Sequence, residues 1–261
     1  MARYQLTLAY DGTDFFGSQR QASKRTVQGE LEKALYTLGW SGRSVLMAGR
    51  TDTGVHATGQ VAAFDLEWSH SSEELVRALN AVLPADIAVY EARMVHERFH
   101  PRFDASSRRY HYTMFCQPLR HPIREHLAWR VWPPINGEVL VETAKLLLCT
   151  HDFSAFGSPT TPRGGTVRTV LKAEWSHSHM SEDEWHFEVQ ANAFLYRMVR
   201  RLVFVQVAVA QGKLLAEIIS NSLAKADWAG NGSEKLSAGL APAHGLVLVE
   251  VEYSKHESMG L

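Results

Sequence analysis

Cysteine is scarce in this chain, which has only Cys116 and Cys149 among its 261 residues. The two are too far apart to form a Cys-x-x-Cys pair, and the histidines near them do not complete a zinc-binding pattern. We therefore expect both to be buried, reduced thiols.

A hydrophobic run long enough to cross a membrane is also missing. The most apolar helical stretch, residues 202–210, is far shorter than a bilayer span and contains Gln206. The first five residues, MARYQ, lack the apolar core of a signal peptide. We expect a cytoplasmic protein with no membrane partner.

An excess of charge of either sign is absent as well, because 27 lysines and arginines accompany 28 aspartates and glutamates. Any surface that binds nucleic acid must therefore be local. Residues 93–130 contain eight arginines, no lysine and three acidic residues, and residues 189–216 contain four basic residues and no acidic one. Arginine suits bidentate contacts to phosphate, although a solvated face with surface salt bridges also explains these segments.

The first part of the chain alternates helices and strands. Apolar residues recur at every second position in residues 3–10, as in a half-buried strand, and at helical spacing from Val27 to Leu38. Ser71 and Glu74 form a capping box that predicts the start of a second helix. Further strands are predicted at residues 44–48, 60–68 and 86–95.

The second part repeats this combination without a recognisable sequence repeat. Strands are predicted at residues 107–116, 166–176, 184–190 and 245–253, and helices at 138–149, 194–211 and 213–220. A doubly wound fold would show a glycine-rich phosphate-binding turn, which we do not find. We predict an α+β fold with mixed or antiparallel sheets, built from two similar halves at residues 1–100 and 101–261.

One turn concentrates the residues of chemical interest. Residues 48–57 read AGRTDTGVHA, which places the Asp52 carboxylate two residues after the Arg50 guanidinium. Gly49 and Gly54 permit positive φ values on either side, so we expect Asp52 at a strand end in a tight turn. An aspartate in such a turn commonly accepts hydrogen bonds from nearby backbone N–H groups, and a purely structural role is an alternative.

The segment GRTDTGVHA at residues 49–57 resembles the central motif of the TruA family of tRNA pseudouridine synthases. Other blocks resemble the family's in the same order, so the resemblance covers nearly the whole chain. They are residues 10–17 (YDGTDFFG), 26–32 (TVQGELE), 102–105 (RFDA) with Tyr110, 151–156 (HDFSAF), 194–200 (FLYRMVR), and 241–242 (AP) with 245–248 (GLVL).

The resemblance implies that uridine is isomerised to pseudouridine in the tRNA anticodon stem-loop, at positions 38 to 40, by a homodimer whose two α+β halves meet at a cleft. The C1′–N1 bond breaks, the base rotates, and a C1′–C5 bond forms. Nothing is oxidised and no water is consumed, so we expect no redox cofactor and no metal.

The resemblance also assigns roles to individual residues. Asp52 would be the catalytic carboxylate, acting by covalent addition or by removal of a ribose proton, and Arg200 would pair with it and keep it ionised. Arg50 would assist extrusion of the target base, Tyr110 would stack on the extruded uracil, and Leu246 would supply an apolar wall.

Two departures from the family pattern stand out. The chain has Ser18 where the family usually has Trp after the first block, and Phe204 where it has Gly after the Met-Val-Arg segment. The first concerns the packing of the loop after Gly17, and the second concerns how closely a helix approaches its neighbour.

Two other functions fit parts of the sequence. His96, Glu97 and His100 spell H-E-x-x-H, a zinc-binding string of metalloproteases, but that chemistry requires a helix, which Pro101 disfavours at His100. Alternatively, the chain could be a non-catalytic module that binds structured RNA through its arginines, with Asp52 only a turn residue.

Overall fold

The structure is a computed structural model that describes residues 1–161, 164–178, 181–224 and 239–254. By its internal contacts the chain forms two compact units. Unit 1 comprises Met1–Arg108 and the chain from Val247 onwards, and unit 2 comprises Arg109–Leu246. The predicted halves at residues 1–100 and 101–261 stay a prediction.

Unit 1 is built on a sheet with strand order β4-β1-β3-β10, and β2 pairs with β3. β1 lies antiparallel to both β3 and β4, whereas β10 lies parallel to β3. Its elements are β1 (Ala2–Tyr10), α1 (Val27–Thr37), β2 (Leu46–Met47), β3 (His56–Leu66), α2 (Ser72–Val82), β4 (Ile87–Val95) and β10 (Leu246–Tyr253), whose first residue, Leu246, belongs to unit 2.

Two local sequence patterns in unit 1 form the structures that they predict. The alternating residues Tyr4, Leu6, Leu8 and Tyr10 of β1 are all buried. The capping box of α2 is complete, since the Ser71 hydroxyl accepts from the backbone N–H of Glu74 and the Glu74 carboxylate accepts from the N–H of Ser71.

Unit 2 has the strand order β5-β9-β8-β7, and β6 lies parallel to β5. Helix α3 contacts both α4 and β8. Its elements are β5 (Ala105–Cys116), whose first residues belong to unit 1, β6 (Trp129–Val131), α3 (Gly137–Lys145), β7 (Cys149–Asp152), β8 (Val167–His177), β9 (Glu184–Ala191), α4 (Met198–Ala210) and α5 (Glu217–Ala224). The mixed sheets and the helices confirm the predicted α+β fold.

Several predicted bounds were wrong for identifiable reasons. Helix α4 starts at Met198 rather than at residue 194, because Arg197 adopts the left-handed conformation with φ 63°. Helix α3 ends at Lys145, and residues 149–152, which include Cys149 at φ 79°, form the unpredicted strand β7. Strand β3 begins at His56 rather than at residue 60, because its first residues pair with β10.

The helices and the two cysteines bear on what the composition led us to expect. No helix among the described residues is long and apolar enough to span a bilayer. Both cysteines are free, but Cys116 is half-buried and Cys149 is exposed, so the expectation of buried thiols was wrong for Cys149.

Candidate active site

The turn that carries Asp52 connects β2 to β3 in unit 1. It closes through a hydrogen bond from the backbone N–H of Val55 to the Asp52 carbonyl, at 3.1 Å. Gly54 adopts a positive φ of 77° as predicted, whereas Gly49 does not, so the expectation for Gly49 was wrong. Asp52 lies in the turn between the two strands and not at a strand end. Its side chain is half-buried, and Arg50 is exposed.

Two glycines let the loop after β1 lie directly against this turn. A Cβ on Gly12 would stand 2.0 Å from the Val55 carbonyl oxygen, and one on Gly17 would stand 2.7 Å from that of Thr51. Gly17 also has a positive φ of 85°. Any side chain at either position would therefore push the turn away.

A buried histidine ties the end of the turn to the same loop. The Nδ1 atom of His56 lies 3.0 Å from the backbone nitrogen of Gly12 and 3.1 Å from an Asp11 carboxylate oxygen. Burial alone would raise the pKa of Asp11, but hydrogen bonds from the Thr13 hydroxyl and backbone N–H lower it. The carboxylate form of Asp11 is thus favoured beside His56.

Tyr110 lies on β5 in unit 2 and is buried, with 8% of its surface exposed. Its ring meets Phe194 edge to face, with centroids 5.1 Å apart and planes at 87°. Tyr112, two residues on, is fully buried, and its hydroxyl donates to the Pro242 carbonyl at 3.0 Å. Both tyrosines face the interior, as the alternation in this strand predicts.

Arg200 lies on α4 in unit 2 and is held by the segment before β10. Its Nε donates to the Ala241 carbonyl at 2.8 Å, and the backbone N–H of Ala241 donates to the Arg200 carbonyl at 3.1 Å. Burial raises the pKa of Tyr112 well above its usual value, and the positive charge of Arg200 opposes this rise. Arg200 is therefore close enough to Tyr112 for its charge to act there.

Leu246 is the first residue of β10 and is buried, with 5% of its surface exposed. The preceding Gly245 packs so tightly on Tyr112 that a Cβ there would stand 2.7 Å from the ring. The segment of residues 241–246 thus links α4 to β5. Within unit 2, this segment brings Arg200, Tyr112 and the start of β10 into one region.

The predicted site residues fall into two groups. Asp52 and Arg50 share the turn in unit 1, whereas Tyr110, Arg200 and Leu246 belong to unit 2. The pairing of Asp52 with Arg200 and the stacking of Tyr110 on a base stay predictions.

Comparison with known proteins identifies the family. The family model described as "tRNA pseudouridine synthase" matches residues 7–104 and 143–254. The chain belongs to this family. The matched residues include Arg50, Asp52, Arg200 and Leu246, whereas Tyr110 lies between the two matched segments.

Curated relatives of the family extend over almost the entire chain. It is 42% identical to "tRNA pseudouridine synthase A" of Solidesulfovibrio magneticus, covering 100% of this chain and 94% of the relative. It is 40% identical to the protein of that name from Shouchella clausii, with 98% and 95% covered, and 39% identical to that from Chloroflexus aurantiacus, with 97% and 89% covered. The resemblance stated from the motifs is confirmed.

The zinc-binding string does not have the geometry that its chemistry requires. Residues 96–100 form a turn after β4 instead of a helix, and the backbone N–H of Phe99 donates to the His96 carbonyl at 2.9 Å. The Nδ1 atoms of His96 and His100 accept from the backbone N–H groups of Arg98 and Arg102, respectively. Among the described residues, no group of three or more His, Cys, Asp or Glu side chains could hold a metal ion.

Sequence reasoning missed two buried polar residues that bond to the backbone of the Asp52 turn, Ser18 and Gln60. Gln60 interrupts the apolar strand β3, which is a signal that could have been noticed, because a buried amide must find hydrogen-bond partners. Ser18 was singled out as a departure from the family pattern, but nothing local indicates its partner.

Proposed function

We propose that this chain converts uridine to pseudouridine in tRNA, with Asp52 as the catalytic carboxylate. The observation that carries the proposal is a half-buried carboxylate in a turn whose neighbouring backbone is hydrogen-bonded to buried side chains. Family membership supports the reaction class, because relatives named tRNA pseudouridine synthase A align over nearly the full chain.

The reaction conserves the atoms of the nucleotide. The C1′–N1 bond breaks, the freed uracil turns, C1′ bonds to C5, and the proton of C5 leaves while N1 gains one. Asp52 either adds covalently to the nucleotide or removes a ribose proton, and both routes require its ionised form. The reaction needs no oxidant and no water.

The remaining residues take supporting roles in this proposal. Arg200 pairs with Asp52 and holds it ionised, because a positive neighbour favours a carboxylate over its acid. Arg50, exposed beside Asp52, occupies space left by the extruded base or contacts the displaced backbone. Tyr110 stacks on the uracil while it turns, and Leu246 forms an apolar wall.

The substrate site is the anticodon stem-loop at positions 38 to 40, and the working unit is a homodimer, as the family resemblance implies. The exposed arginines contribute contacts to the phosphate backbone, so binding should weaken as salt increases. Because tRNA is the substrate, the cytoplasm is the expected compartment.

Tritium release tests the proposal directly. Transcribed tRNA carrying tritium at uracil C5 should lose that tritium when C5 bonds to C1′. A tRNA in which cytidine replaces uridine at positions 38 to 40 serves as the matched substrate and should release none. Absence of release from every tRNA, with binding retained, would instead support a non-catalytic RNA-binding protein.

A further inference from the structure

Gln60 holds the residue just before Arg50 by both of its backbone groups. Gln60 lies on β3 and is fully buried. Its Nε2 donates to the Gly49 carbonyl at 2.9 Å, and its Oε1 accepts from the Gly49 N–H at 3.2 Å. One side-chain amide therefore replaces the strand partner that Gly49 lacks in this turn.

Ser18 holds the residue just after Arg50 by one side-chain and one backbone hydrogen bond. Its Oγ accepts from the Thr51 N–H at 2.8 Å, and its own backbone N–H donates to the Thr51 carbonyl at 3.1 Å. Ser18 is also fully buried. The Trp that the family usually carries here could not replace the hydroxyl, because an indole offers no acceptor to an N–H group.

Tyr10 connects the two contacts. Its hydroxyl lies 2.8 Å from the Thr51 Oγ1, and Gln60 Nε2 lies 3.4 Å from the same hydroxyl. Burial raises the pKa of Tyr10 to about 12, so the hydroxyl stays neutral and keeps its proton for a hydrogen bond. The side chains of Gln60, Tyr10 and Thr51 thus form one buried hydrogen-bond network beside the turn. Ser18 joins this network through the Thr51 backbone.

We infer that Gln60 and Ser18 are positioning residues for the reaction. They fix the backbone at Gly49 and Thr51, on both sides of Arg50 and immediately before Asp52. The inference rests on the proposed function, in which Arg50 and Asp52 act on the RNA. A carboxylate displaced by about 1 Å can lose a hundredfold in rate, so the backbone that carries it must be held.

The test uses the full chain with Gln60→Met and Ser18→Ala, which remove the side-chain hydrogen bonds while adding no charge. Asn80→Leu is the matched control, because the Asn80 amide holds both backbone groups of Val89 on β4 at 2.7 and 2.8 Å, away from the turn. Three quantities are measured for each folded variant: the single-turnover rate of tritium release, KM for tRNA, and amide hydrogen exchange in a peptide covering residues 47–55.

We expect both turn variants to react about 10- to 100-fold more slowly with KM within about twofold of wild type. Exchange in the peptide should accelerate, and Asn80→Leu should match wild type in rate and in exchange. If Gln60→Met does not fold, Ser18→Ala decides.

A folded Ser18→Ala enzyme with wild-type rate and exchange would overturn the inference, as would a loss confined to KM. If the wild-type chain releases no tritium, the proposed function fails. Exchange in the peptide then still shows whether the two side chains hold the turn.

Discussion

Replacing Gly12 with alanine should disturb the candidate active site from outside it. Gly12 follows β1, and its backbone N–H lies 3.0 Å from the His56 ring nitrogen. An added Cβ would stand 2.0 Å from the Val55 carbonyl oxygen and 2.5 Å from its carbon. Ordinary contact begins at about 3.4 Å, so the two segments must separate by more than about 1 Å. Backbone atoms cannot rotate away as a side chain would.

Overpacking of this kind costs about 1–3 kcal/mol, and loss of the hydrogen bond to His56 adds about 1 kcal/mol. A total of about 3 kcal/mol corresponds to a melting temperature lower by roughly 6–12 °C for a chain of this size. Because the Val55 N–H is bonded to the Asp52 carbonyl, the displacement reaches the turn. We therefore expect tritium release to slow by about a hundredfold.

The assay combines thermal unfolding followed by circular dichroism with single-turnover tritium release from tRNA. Gly165→Ala is the matched control, since a Cβ on Gly165 meets nothing within 4 Å. Gly12→Ala with a melting temperature within about 2 °C of wild type and an unchanged rate would show that the contact between Gly12 and Val55 does not hold the turn in place.

Three further predictions address separate features. Hydrogen bonds from Arg124 lower the pKa of Asp183 from 3.8 to about 2, so the ion pair stabilises the fold above about pH 4, and this contribution disappears as the pH falls toward 2. Both side chains are about a quarter exposed, so Asp183→Asn should cost about 1–2 kcal/mol in urea unfolding at neutral pH and much less near pH 2, whereas an equal cost at both would contradict this. Tyr110→Phe keeps the ring and should retain kcat/KM within about threefold, while Tyr110→Leu should lose at least about tenfold, and equal values for the two would argue against stacking. Arg50→Lys keeps the charge but loses the planar guanidinium, so it should slow tritium release by about tenfold, and a wild-type rate would remove Arg50 from the proposed role.

Local patterns in the sequence predicted the elements whose causes are local. The apolar alternation of β1 and the capping box at Ser71 each depend on residues within a few positions of one another, and both are present as expected. The start of α4 was misplaced because the apolar spacing continues through Phe194, while the left-handed backbone of Arg197 has no sequence signal of its own.

The site was predictable only in part for a similar reason. Motif resemblance identified Asp52 and Arg50, which are neighbours in sequence. The contact of Ser18 with Thr51 spans 33 residues, and that of Gln60 with Gly49 spans 11. Such contacts depend on how β1, its following loop and β3 pack together, which no local pattern records.

The most direct test of the proposed function is Asp52→Asn, which keeps the shape of the side chain but removes its charge and nucleophilicity. Asp65→Asn is the matched control, since it also removes one carboxylate charge from unit 1, at a site paired with Arg3. We expect Asp52→Asn to bind tRNA with near wild-type affinity and to release no tritium, while Asp65→Asn releases it at the wild-type rate. Tritium release by Asp52→Asn at the wild-type rate would show that Asp52 is not the catalytic carboxylate.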